Sequence, residues 1–184
     1  MSRARTMSRG HGFTLIEILC VLVIIGIASG IIIPQMSSRN DLKAAAAARV
    51  MMADLVYAQN RAITLQQTTL VTFDINARKY GVYKSDLAAL THPVNKTSYV
   101  QQFGLGGTTG LTECTLVSAN ITGLSNAVRS TLAFDDLGAP LAYNTADGTS
   151  ENIRSGAVVV QCGAHQLQLT IEPYTGQITV APVP

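Results

Sequence analysis

The hydrophobic pattern begins with one long apolar stretch near the N-terminus. From Phe13 to Ile33 the chain holds 21 residues, of which only Glu17 is charged. As a helix this stretch would rise roughly 31 Å, about the thickness of a bilayer's hydrocarbon core. Arg3, Arg5 and Arg9 precede it with no acid among them. The pattern therefore predicts a transmembrane helix over 13–33, with its N-terminus in the cytoplasm and the rest of the chain across the membrane.

After Pro34 the composition becomes mixed, but apolar residues continue at helical spacing. Asp54 and Gln59 are among the polar residues that fall off this apolar stripe. We predict an amphipathic continuation over 34–67, bent at Pro34, so that the whole helix from residue 13 would measure about 80 Å. The stripe consists of Ala44, Ala48, Met51, Leu55, Ala58, Ala62 and Leu65.

From residue 68 onward the apolar period falls to two, which is typical of strands. A hairpin is expected around 76–79, and 85–98 is expected to be a loop or a short helix. The predicted fold class is α+β: a long N-terminal helix packed on an antiparallel β-sheet or small β-sandwich, which forms a head over 68–184. The predicted strands are 70–74, 80–83, 97–103, 114–117, 131–134, 157–162, 166–172 and 177–181. The side chains expected to face Met51 and Leu55 are Leu167, Leu169, Ile171, Ile178 and Val180.

The net charge of +2 depends on the first twelve residues. They hold three of the 13 Lys and Arg residues, and the remaining 10 bases face 11 acids, a charge near −1. Nucleic-acid binding normally uses a clustered basic face, so no nucleic-acid partner is expected.

Glu17 is the unusual residue of the apolar stretch, because a carboxylate there is costly and marks a functional candidate. The string Gly12-Phe13-Thr14-Leu15-Ile16-Glu17, after a short basic leader, resembles the prepilin signature of type IV pilins and type II secretion pseudopilins. The resemblance implies that a prepilin peptidase and N-methyltransferase cuts between Gly12 and Phe13, removes the leader 1–12 and methylates Phe13. Pro34 then stands where many pilins carry a helix-bending proline.

The same resemblance implies a role for Glu17 in assembly. It becomes the fifth mature residue, the position of the family's glutamate. There it is expected to pair with the α-amino group of Phe13 in a neighbouring subunit, which would offset the desolvation of both charges.

Two other interpretations of the N-terminus remain open. A secretory signal could end at Ala28-Ser29-Gly30, although its apolar core would be unusually long and would contain an acid. A plain membrane anchor on a periplasmic binding domain would keep its leader. The N-terminus of the mature protein separates the three cases: Phe13, Ile31 or Met1.

Two later segments, 133–140 and 172–178, resemble the GspH/FimT class of minor pilin-like proteins. This implies a minor pseudopilin, a structural subunit of the periplasmic pseudopilus of a type II secretion system in the bacterial inner membrane, with other pseudopilins or pilins as partners. The alternative is a FimT-like minor type IV pilin in pilus assembly or DNA uptake. The arginine-bearing C-terminal motif of that branch has no counterpart in 176–184, where no base occurs.

The remaining candidate chemistry is sparse. Cys20 lies in the apolar stretch, whereas Cys114 and Cys162 would face an oxidising periplasm that permits a disulfide; the sequence leaves their separation open. Cys162 and His165 lack a second ligand pair for zinc. Asp135 and Asp136 could suggest a calcium-binding site, but a solvated turn is favoured. No metal, cofactor or enzymatic activity is expected.

Overall fold

The computed structural model describes residues 13–36 and 39–183, with side chains described outside 30–36. The chain divides into two compact units between Arg39 and Asn40. The predicted leader 1–12 and residues 37–38 of the predicted helical continuation lie outside the described residues.

The first unit is built on helix α1, Leu15–Met36. Its sequence is almost wholly apolar and contains Pro34, which lies two residues before the end of the helix. A proline lacks the N–H that a helix interior donates, and its ring crowds the carbonyl four residues earlier, so Pro34 interrupts the hydrogen bonding of α1 close to its end. The bend expected at Pro34 stays a prediction.

The second unit begins with helix α2, Asn40–Leu65. Five consecutive alanines from Ala44 favour the helix, since alanine has the highest helix propensity. The helix ends two residues earlier than predicted because Gln66 has a positive φ of 51°. The Gln67 N–H donates to the Ala62 carbonyl at 3.1 Å and the Gln66 N–H to the Ile63 carbonyl at 3.4 Å, the two bonds of a Schellman motif.

In the described residues ten strands follow α2, and every pairing between them is antiparallel. They are β1 Thr69–Asp74, β2 Lys79–Lys84, β3 Val100–Gln102, β4 Cys114–Gly123, β5 Val128–Arg129, β6 Thr131–Phe134, β7 Pro140–Tyr143, β8 Ser150–Cys162, β9 His165–Ile171 and β10 Ile178–Pro182.

The strands run in the order β10-β9-β8-β7-β6-β1-β2-β3, and β4 pairs with β8 and β5. The long strand β8 is the junction: its start pairs with β7, and its later part pairs with β4 and β9. Helix α2 packs on β9, β8 and β1. The predicted α+β class, a helix on an antiparallel sheet, is confirmed.

The sequence missed β5 and β7. The first has only two residues, and the second begins with proline, which a strand accepts at its first position. Segment 85–98 forms turns with isolated bridges and no helix. The predicted hairpin is present as β1 and β2, with Lys79 inside β2 and not in the turn.

The core lies between α2 and the sheet, and the burial of three residues differs from the prediction. Leu65 is exposed because it lies at the end of α2. Val180 is exposed because it lies on the edge strand β10. Asp54, predicted to lie off the apolar stripe, is buried with only 8% of its surface exposed. The apolar pattern placed the Asp54 carboxylate outside the buried stripe of α2, whereas the structure buries it.

Candidate assembly site

The first turn of α1 is held by Thr14. The Thr14 carbonyl accepts the N–H of Glu17 at 3.1 Å, and the Thr14 Oγ1 accepts the same N–H at 3.3 Å. Threonine followed three residues later by glutamate is the spacing of a capping box. The sequence signal for this cap is the Thr-x-x-Glu spacing from Thr14 to Glu17, on which none of the predictions above rests.

The position of Glu17 follows from this cap. It lies in the first turn of α1, where the positive end of the helix dipole favours a carboxylate. Among residues 13–36 and 39–183 its carboxylate accepts no hydrogen bond from a side chain or backbone group. Glu17 is exposed, so its oxygens are open to a donor from another molecule.

Phe13 is the first described residue, and 77% of its surface is exposed. Gly12, on the other side of the predicted cleavage bond, lies outside the described residues. Glu17 is four residues from Phe13, whereas Pro34 lies about 25 Å further along α1 at 1.5 Å per residue. Of the predicted processing and assembly residues that the structure describes, Phe13 and Glu17 therefore lie on either side of the start of α1, and Pro34 lies apart from them.

The surface of α1 is apolar on every side rather than along one stripe. An isolated helix of this kind has no internal core to bury its side chains and is suited to lipid or to other helices. In the described part of the chain, no helix has the length and hydropathy required to cross a membrane. The exposed apolar residues of α1 are Leu15, Ile16, Ile18, Leu19, Val21, Leu22, Val23, Ile24, Ile25 and Ile27.

Cys114 and Cys162, whose separation the sequence left open, are joined by a disulfide. The bridge ties the start of β4 to the end of β8. It also adjoins the beginning of α2, since the Cys114 Sγ lies 3.8 Å from the Lys43 carbonyl. The Lys43 Nζ forms an ion pair with Glu113 at 2.6 Å. Cys20 is unbridged and exposed in α1.

Asp54 is the buried polar centre of the head. The Tyr80 hydroxyl donates to Asp54 Oδ2 at 2.7 Å, and the Tyr99 hydroxyl donates to Oδ1 at 2.9 Å. Burial raises the pKa of Asp54, and the two tyrosine hydrogen bonds partly oppose this by stabilising the carboxylate. Burial also raises the pKa of Tyr80 and Tyr99, with the Asp54 charge adding to it. This cluster ties Tyr80 of β2 and Tyr99, which directly precedes β3, to α2.

The residues considered as metal ligands have other roles. Cys162 is in the disulfide, and the Asp135 carboxylate accepts the N–H groups of Leu137 and Ala139 at 3.0 and 2.7 Å. These bonds organise the turn between β6 and β7. In the described ranges no three His, Cys, Asp or Glu side chains lie together in a way that could hold a metal ion.

Comparison with known proteins supports the N-terminal motif and the fold separately. Residues 7–33 match the prokaryotic N-terminal methylation motif. The structure of the minor pseudopilin EpsH from the Type 2 Secretion System of Vibrio cholerae matches with a TM-score of 0.50 and 13% identity, over 76% of this chain and 97% of that one. No curated protein sequence matches.

A second solved structure, the type IV minor pilin FimU of Pseudomonas aeruginosa PAO1, matches with 15% identity over 77% of this chain and 90% of that one. Its TM-score of 0.43 is too low to support a conclusion. The EpsH match shows the fold alone. Together with the methylation motif, it confirms the predicted resemblance to type IV pilin-like proteins.

Proposed function

We propose that this type IV pilin-like chain is a minor pseudopilin, a structural subunit of the periplasmic pseudopilus of a type II secretion system. The observation that carries the proposal is the methylation motif over 7–33 followed by a head with the fold of a pseudopilin. In this proposal the chain is a substrate of processing enzymes and not a catalyst.

Maturation is the first step of the proposed mechanism. A prepilin peptidase cuts between Gly12 and Phe13 and methylates the new N-terminus. Before the cut, the apolar stretch 13–33 anchors the chain in the inner membrane with the head in the periplasm, as the positive residues of the leader favour. After the cut, the new α-amino group is on Phe13, two residues before α1 begins, and it is available to pair with the Glu17 of another subunit.

Assembly is the second step. The all-round apolar surface of α1 can exchange lipid contacts for contacts with other subunits at little cost, since lipid tails and aliphatic side chains are similarly apolar. The carboxylate of Glu17 then determines how neighbouring helices are positioned along the axis of the bundle. In a low-dielectric bundle an unpaired carboxylate is strongly disfavoured, so pairing with a neighbour's α-amino group sets the axial register.

A minor type IV pilin is the competing assignment, because the N-terminal signature occurs in both classes. Two features favour the pseudopilin: the mature charge near −1 and the absence of any base in 176–184. A DNA-uptake protein would be expected to bind duplex DNA through a basic face, with strong salt dependence. Loss of protein secretion, rather than loss of pili or DNA uptake, on deleting the chain would support the pseudopilin assignment.

Glu17→Ala tests the assembly step. The variant should still be cleaved to a Phe13 N-terminus, but it should no longer co-purify with other pilin-like subunits. Ile18→Val, which keeps the charge and the apolar surface beside it, is the matched control and should co-purify normally. Cleavage is read by N-terminal sequencing and assembly by co-purification. Normal co-assembly of Glu17→Ala would refute the pairing, and a mature terminus at Ile31 would refute the whole proposal.

A further inference from the structure

The two segments that resemble the GspH/FimT class lie side by side at one place on the head. One forms the turn between β6 and β7 and the other the turn between β9 and β10. Each turn is closed by a backbone hydrogen bond from its first residue: Asp135 N–H donates to the Ala139 carbonyl at 3.1 Å, and Glu172 N–H donates to the Gln177 carbonyl at 2.9 Å. The second turn is one residue longer than the first, and we call the two together the paired turns.

One side chain of α2 joins this pair. The Gln59 Nε2 donates to the carbonyl of Gly138 at 2.9 Å and to the carbonyl of Thr175 at 3.0 Å. A Cβ atom on Gly176 would lie 3.0 Å from the Gly138 carbonyl oxygen, so the backbones approach closely enough to require glycine. Gly138 and Gly176 also have positive φ values of 83° and 67°. The paired turns are therefore fixed to each other and to α2.

The fixed turns hold large apolar side chains out toward solvent. Leu137 is 82% exposed and Tyr174 is 89% exposed, although a turn needs neither of them for its backbone geometry. Beside them a groove of about 150 Å³ is lined by Leu124, Ala139, Asn152, Ile153, Pro173 and Tyr174. Leucine and tyrosine on hydrogen-bonded turns lose little freedom on binding, and tyrosine is enriched among residues that dominate interfaces.

The rim of this surface is acidic. Asp136 and Glu172 are exposed in the two turns, and in the described part of the chain neither has an ion-pair partner within 4.0 Å. An acidic rim disfavours both the anionic surface of a membrane and the phosphates of a nucleic acid. It complements a protein surface whose own rim carries lysine or arginine.

We propose that the paired turns are a docking surface for the head of another pilin-like subunit, which presents an apolar recess with a basic rim. This inference rests on the proposed function, because bundling of the α1 helices supplies the proximity. Subunits held together through α1 meet at a high effective concentration, so a small patch is sufficient to set which neighbour a head contacts.

Site-specific photocrosslinking in the native host tests the surface on the full chain. The crosslinker p-benzoylphenylalanine replaces Leu137 or Tyr174, and the two matched controls carry it at Leu105 or Val94, which are 90% and 77% exposed elsewhere on the head. Crosslinked products are identified by mass spectrometry. We expect positions 137 and 174 to crosslink to another subunit with a prepilin signature, at least about tenfold above the two controls.

The acidic rim is tested in the same assay. Glu172→Lys, combined with the crosslinker at position 174, should reduce the crosslink about tenfold, because like charges then meet across the interface. Asp86→Lys, a reversal at an exposed site away from the turns, is the control and should have no effect. Equal reductions by both reversals would contradict the predicted basic rim of the partner.

The outcomes separate this inference from the proposed function. If the wild-type chain co-purifies with pilin-like subunits but positions 137 and 174 crosslink no better than the controls, the docking surface is wrong and the function stands. A crosslink to a protein without a prepilin signature would overturn the stated partner. If co-purification and crosslinks are both absent, the proposed function fails and the docking surface fails with it.

Discussion

The two helices each carry an acid among apolar residues, and they satisfy it in different ways. Glu17 in α1 is exposed and has no hydrogen-bond donor to its carboxylate among the described residues. Asp54 in α2 is buried and receives hydroxyl hydrogen bonds from Tyr80 and Tyr99 of its own head. The head supplies the partners for its own buried charge, whereas α1 leaves its charge to another molecule.

This difference separates folding from assembly. A buried charge without partners is strongly destabilising, so Asp54 must find its donors when the head folds. Glu17 faces that requirement only when α1 enters a dry bundle with other helices. Changes at Asp54 should therefore act on stability, and changes at Glu17 on co-assembly.

The largest expected effect on the head comes from removing the disulfide. Cys114 and Cys162 are separated by 48 residues, and closing a loop of that length stabilises a fold by about 4 kcal/mol in the chain-entropy treatment. Replacing both cysteines by alanine should lower the free energy of unfolding by about that amount. The measurement is chemical denaturation of the full chain in detergent, followed by tyrosine fluorescence because the chain has no tryptophan.

The control for the disulfide variant is Cys20→Ala in α1, which should leave the stability of the head unchanged. Hydrogen exchange should show which part of the head is destabilised when the disulfide is removed. Because the bridge adjoins Lys43, the first turns of α2 should lose more protection than its end near Ala62. Uniform loss along α2 would contradict a special role of the bridge at the beginning of that helix.

The next effect is at Asp54 itself. Asp54→Ala leaves two buried tyrosine hydroxyls without an acceptor, and each unsatisfied group costs about 1–3 kcal/mol, so we expect a loss of about 3 kcal/mol. Tyr99→Phe removes one bond and should cost about 1 kcal/mol. Glu17→Ala is the cross-control: a comparable loss of head stability in that variant would break the contrast between the two acids.

The pH dependence of the unfolding free energy is a second test of the contrast between Asp54 and Glu17. The pKa of Asp54 is raised above its ordinary value of 3.8, so the folded head holds the proton more tightly than the unfolded chain does. The stabilisation that this tighter proton binding gives the folded head is fully present below pH 3.8. It is lost as the pH rises through the raised pKa of Asp54 in the folded state. The unfolding free energy of the wild type, relative to Asp54→Asn, should therefore increase from pH 7 toward pH 4.

The reference variant is needed because other carboxylates act in the opposite direction. Hydrogen bonds from Thr149 lower the pKa of Asp147, and those from Ser125 lower the pKa of Glu151. The stabilisation that the ionised forms of these two groups give the folded head is lost as the pH falls. Both groups remain in Asp54→Asn, so their effects cancel in the difference. A difference that is flat with pH would contradict the assignment to Asp54.

The sequence predicted those features that depend on regular spacing. The α2 stripe, the hairpin around 76–79 and the alternation in β9 each follow from a local period, and the structure has all three. The N-terminal signature also depends on spacing alone. These patterns determine the α+β class before any tertiary contact is known.

What the sequence could not predict depends on contacts between distant residues. Asp54 is polar and off the stripe, and its burial follows from two tyrosines 26 and 45 residues away. Gln59 likewise joins turns 79 and 116 residues further along the chain. No local period reports such pairings, because the partners belong to other elements.

The smallest expected effect is at the surface ion pair beside the disulfide. Lys43 and Glu113 meet at 2.6 Å, but their side chains are 39% and 54% exposed. Exposed ion pairs contribute about 0–1 kcal/mol, so Glu113→Gln should cost about 0.5 kcal/mol, and less in high salt. The double-mutant cycle with Lys43→Met isolates the pair. A coupling energy above about 2 kcal/mol would show that this pair, and not the disulfide beside it, is the main attachment of the start of α2 to the sheet.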